Sequence, residues 1–127
     1  MRGRGVVLVF HAKEAKAKTS KDGGRSEREL VSEERGVRKF FIHLESLRPG
    51  AGPTGYHYHK AKETVLFVLR GRGRLLLEGA EYEVGPYQVI VIRPGERHGI
   101  LEVLGEEEFE FLEIGAPPVE DRVPVGP

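Results

Sequence analysis

The sequence predicts an all-β fold, a sandwich or barrel of short strands, on three observations. Short apolar runs recur at roughly 8–12-residue spacing. Glycine or proline stands at nearly every gap between them, and no helical pattern of convincing length follows residue 36. The 17 glycines in 127 residues are about twice the usual share of ~7%, as many tight turns require.

Val6 to Phe10 opens the chain as a β-type run. Residues 11–36 differ: Ala, Lys, Glu, Ser and Gly dominate, and Leu30 and Val31 are the only large apolar residues. With so little to bury, this stretch is expected to be a polar, loosely structured loop or arm. Asp22-Gly23-Gly24 breaks any helical piece around Ala12 to Ala17. From Val37 onward strand follows strand. Phe40, Ile42 and Leu44 alternate against Lys39, Phe41 and His43 before Pro49-Gly50 and Gly52-Pro53. Tyr56 to His59 comes next, then the nearly continuous Val65 to Leu69. Gly71 and Gly73 turn into Leu75 to Leu77, Gly79 into Tyr82 to Val84, and Gly85-Pro86 into β-branched Val89 to Ile92. Pro94-Gly95 leads to His98 to Leu104, and Gly105 to Phe109 to Ile114. The organisation is one domain: residues 1–36 an edge strand with a polar arm, 37–114 the barrel, and 115–127 a Pro-rich tail expected to be extended, docked or disordered.

Composition narrows the function classes. Lys plus Arg and Asp plus Glu both number 20, so no basic field marks a nucleic-acid binder. The longest apolar runs fall far short of the ~18 residues of a membrane span. No export signal is recognisable, which makes the cytoplasm the expected compartment. Cysteine is absent, excluding disulfides, thiolate metal sites and cysteine nucleophiles. Charged residues reach 31%, Asn is missing and Gln occurs once, a pattern that fits a heat-adapted protein.

The candidate chemistry lies in the histidines. His57 and His59 share one face of a strand, roughly 6–7 Å apart at the backbone, so their rings can converge on a cation. Strand parity groups Glu63 with Val65, Phe67 and Leu69; a carboxylate buried on that face needs a charge partner or a metal. His98 follows the Pro94-Gly95 turn at the start of another strand, and its parity runs through Ile100, Glu102 and Leu104. Glu102 is either an inward base or ligand-orienting group or, after a register shift, a water-facing residue. His43 shares parity with Phe41 and Glu45, and reads either as a packing or surface residue or as part of a pocket.

This constellation resembles the cupin superfamily. The first cupin motif, a glycine-containing lead, HxH, Glu and a later Gly, corresponds to Gly52 through Gly71, with His57, His59 and Glu63. Seven residues rather than six separate Glu63 from Gly71. The second motif runs from Gly85 to Gly95-Glu96-Arg97-His98, with Arg93 where a proline usually stands. The resemblance covers residues 37–114 and implies a double-stranded β-helix, or jelly-roll barrel, with His57, His59, Glu63 and His98 around one divalent metal. Ligands of this kind favour Mn, Fe, Ni, Co, Cu or Zn, and four of them leave two positions open on an octahedral ion. It further implies a small-molecule ligand and a homodimer, with Val6 to Phe10 as a candidate exchanged edge strand. Two functions follow, with a degenerate structural barrel without metal as the remaining reading, which the intact ligand set argues against. One is an enzyme on a small oxygen-rich metabolite (isomerase, decarboxylase or dioxygenase) with the metal as Lewis acid or O2 activator. The other is a non-catalytic ligand-binding or sensor protein, whose pocket would be apolar and lack an acid or base beyond the ligands.

Overall fold

Glycine turns divide the chain into short antiparallel strands in a computed structural model that describes residues 7–126. They are β1 (Ala17–Thr19), β2 (Arg25–Val31), β3 (Phe41–Leu47), β4 (His57–His59), β5 (Glu63–Arg70) and β6 (Arg72–Leu77). After them come β7 (Ala80–Val84), β8 (Val89–Ile92), β9 (His98–Leu104), β10 (Phe109–Ala116) and β11 (Arg122–Pro124). One sheet has the order β1-β2-β3-β10-β5-β8 and the other β11-β4-β9-β6-β7. The chain passes repeatedly between the two sheets, giving the expected double-stranded β-helix. No helix among the described residues is long and apolar enough to cross a membrane.

The core lies between the sheets. Leu47, Val68, Leu75 and Phe109 are almost fully buried, with Leu66, Ile90, Ile92 and Phe111 packed around them. Each such side chain contributes roughly 1.5–3 kcal/mol of transfer free energy. The β5–β6 turn depends on glycine: Gly71 has φ +76°, and a Cβ there would run into the Glu108 carbonyl.

One segment differs from the sequence reading. Residues 25–31, read as polar arm, form β2 and pair with β3 along Arg25↔Leu47 to Val31↔Ile42. Their alternation is of charged and small polar residues, so hydrophobic periodicity was silent. The Pro-rich tail is docked, its β11 pairing with β4. Val6 lies outside the described residues, and 7–10 join no strand.

Candidate active site

Register brings three imidazoles together at one end of the barrel. His57 and His98 are Cα partners across β4 and β9, and His59 lies two residues on along the same strand. Ring centroids are 4.3 Å apart for His57–His98, 4.9 Å for His57–His59 and 5.5 Å for His59–His98. Each ring is fixed through Nδ1, which donates to the Gly55 carbonyl at 2.7 Å, to Asp121 Oδ1 at 2.9 Å, and to the Glu96 carbonyl at 3.0 Å, for His57, His59 and His98 in turn. These partners accept only, so each Nδ1 carries a proton, and in the neutral ring Nε2 is the atom left to donate to a metal. Burial, as the main cause, lowers the pKa of His57 to about 4 and also lowers that of His98. Neutral imidazoles with oriented Nε2 atoms are what a divalent metal requires. One ligand atom from each of the three lies within 4.8 Å of the others, so the donor set fits an ion.

Glu63 and Glu102 stand outside this group. The inward face of β5 is Thr64, Leu66 and Val68, leaving Glu63 exposed and opposite Ala116 of β10. The extra residue before Gly71 is consistent with that phase: six intervening residues counted back from Gly71 lead to Thr64. Parity misled because both faces of β5 are apolar. Glu102 is turned outward by an irregularity in β9. Leu75 pairs with Ile100 and Arg74 with Glu102, so Leu101 is extra and the inward phase passes from Ile100 to Val103. Glu102 ion-pairs with Arg74 on the outer surface.

His43, by contrast, lines the cavity that the three histidines also line, a space of about 190 Å³. Three neighbouring strands build its surroundings. His43 is opposite Glu113 of β10, and Glu45 is opposite Glu27 of β2. His43 Nδ1 sits between Glu27 Oε1 at 3.4 Å and Glu113 Oε1 at 3.5 Å, an ion-pair contact too long for a regular hydrogen bond to either. Burial opposes its charge, but the Glu113 and Glu27 carboxylates outweigh it and raise the pKa to about 9. The His43 imidazolium, with Arg25, holds Glu27 down to about 2 despite burial. Burial raises Glu45 to about 8, even though Arg25 donates two hydrogen bonds to its Oε1 at 3.0 and 2.8 Å.

Sequence reasoning missed Arg25, Glu27, Glu113 and Asp121. Glu113 left a signal, since it shares phase with Phe109 and Phe111. Arg25 and Glu27 lay in the stretch read as a surface arm. Asp121 left none: it lies in the tail yet accepts from His59 and from the Ala61 and Lys62 backbone N–H groups at 2.8 and 2.9 Å.

Comparison with known proteins gives a consistent assignment. The family described as Cupin domain matches residues 43–115. The polyketide cyclase RemF from Streptomyces resistomycificus is 29% identical, with a TM-score of 0.75 over 91% of this chain and 85% of that one. An uncharacterised protein with a double-stranded β-helix domain from Klebsiella pneumoniae is 17% identical, with a TM-score of 0.76 over 96% of this chain and all of that one. The oxalate decarboxylase of Lactobacillus farciminis, 19% identical, gives 0.75 over 91% of this chain but only 35% of its own. The last two likenesses establish the fold alone. No curated protein matches the sequence.

Proposed function

The chain belongs to the cupin family, and on that premise we propose that it is an enzyme acting on a small oxygen-rich metabolite beside one divalent transition metal held by His57, His59 and His98. One observation carries the reading: three oriented imidazoles and the His43–Glu27–Glu113 group line the same cavity. A pocket serving only to hold a ligand has no need of a half-buried acid–base group lining the same cavity as the three imidazoles. When bound, the metal supplies Lewis-acid polarisation of a substrate oxygen, or O2 activation if it is iron.

His43 supplies the proton chemistry. Its buried Nδ1 makes no regular hydrogen bond but lies in ion-pair contact with both carboxylates. The imidazolium donates its Nε2 proton to a substrate oxygen, and Glu27 and Glu113 keep the ring oriented. Phe41, its ring 4.6 Å from that of His43, shields one side. Asp121 fixes the His59 ring and so its donor direction.

The test loads the protein with Mn, Fe, Co, Ni, Cu or Zn and follows a panel of oxo acids, hydroxy acids and sugars by NMR, with and without O2. Turnover is expected, and His43→Gln should keep its metal while kcat falls about 10²–10⁴-fold. Ligands that bind but emerge unchanged under every metal would establish the sensor alternative instead. The same proposal places a heat-adapted homodimer in the cytoplasm. Its pairing is supported by the apolar outer face where Val65 and Phe67 of β5 register with Val91 and Val89 of β8, and its heat adaptation by the Asn-free composition.

A further inference from the structure

Charge pairing within the cavity is incomplete. Arg25 is taken up by Glu45, and His43 by Glu27 and Glu113. What remains on the lining is Lys62 and Arg122 against Glu120. Neither cation forms a salt bridge among the described residues, and no hydrogen bond engages the Arg122 guanidinium. Lys62 Nζ instead stands 4.8 Å over the Phe41 ring centroid.

Both cations are placed by one element, the docked tail. Arg122 is the Cα partner of His59 across β4 and β11. Its neighbour Asp121 accepts from the Lys62 backbone N–H as well as from His59. The guanidinium lies over Gly55, where a Cβ would come within 2.6 Å of one of its nitrogens. The strand pairing of β11 and the half-buried Asp121 carboxylate thus hold beside the imidazoles two cations that no carboxylate of the described residues pairs with. A divalent metal would add positive charge beside them, and an anion entering the cavity would pair with them. Arg recognises planar carboxylates through two parallel hydrogen bonds, and Lys adds a point charge.

We propose that the substrate carries a carboxylate, gripped by Arg122 and Lys62 while its remaining oxygens face His57, His59 and His98. The inference rests on the reading of this cavity as the substrate site, and it narrows the substrate class to small carboxylic acids. Glu120 on the same rim disfavours a second anionic group on its side.

The experiment titrates C2 to C5 dicarboxylates and the matching diamides into the full-length protein by calorimetry, with nickel and without, after a separate titration of nickel alone. At least one dicarboxylate should bind about tenfold or more tightly than its diamide. Arg122→Gln and Lys62→Gln should each remove about tenfold of that preference with nickel affinity unchanged, and Arg122→Lys should restore part of it. Gly55→Ala, which displaces the guanidinium without touching its charge, should weaken the dicarboxylate in the same way. Diamides that bind as well as dicarboxylates, or a preference that survives in Arg122→Gln and Lys62→Gln, would overturn the carboxylate assignment while leaving the metal site intact. A chain that takes up no nickel would end the metal reading, and the metal-free titrations would still decide the anion site.

Discussion

At His43, charge and burial oppose each other over an accessible pH range. Its pKa rises from 6.5 to about 9 on folding. The stabilisation is therefore complete below about pH 6.5 and lost as the pH rises through about 9. Glu45, raised by burial from 4.5 to about 8, acts in the same sense, its contribution present below about 4.5 and lost through about 8. Glu27, held from 4.5 down to about 2, acts oppositely, present above about 4.5 and lost as the pH falls toward about 2. Arg25, Glu113 and Lys62 complete the charges around these groups. His43→Gln should lower stability by about 1–3 kcal/mol near neutral pH, and urea denaturation should show the gap closing toward about pH 10. A gap that stays constant with pH would mean that His43 acts by packing alone.

The strands differ in how openly their sequences declare them. Gly71 shows the dependence on one turn: its left-handed backbone and the Glu108 carbonyl leave no room for a side chain. Gly71→Ala should destabilise by about 2–4 kcal/mol in urea denaturation, whereas wild-type stability in that variant would remove the turn from the determinants of the fold. The glycine turns and β-branched runs made β5 through β10 legible, and the HxH pair with His98 made the imidazole group legible. Face assignment was less so. Val65 to Leu69 is apolar on both sides, because β5 has a core face and a second apolar face turned outward, and nothing local says which one Glu63 joins. The β9 irregularity is equally silent, since Ile100, Leu101 and Val103 are all apolar and Glu102 takes its direction from pairing with β6. The charged face of β2 and the Asp121 clasp exist only through long-range register, which no short window of sequence contains.

For the whole molecule, the outer face of β5 and β8 and the site at the barrel end set the remaining expectations. Val89 and Val91 are 56% and 59% exposed on an edge strand, with Tyr87 beside them at 76%. Open edges and contiguous apolar surface favour pairing. Light scattering should give twice the mass of one chain, and Val91→Lys should halve it; a wild-type mass of one chain would contradict the homodimer. The three-imidazole site itself is tested most directly by metal content. Elemental analysis of the wild type, Glu63→Gln and His98→Ala, each incubated with Mn, Fe, Co, Ni, Cu and Zn and then desalted, should find about one divalent ion per chain in the first two and almost none in the third. A wild type that stays empty under all six metals would contradict the site.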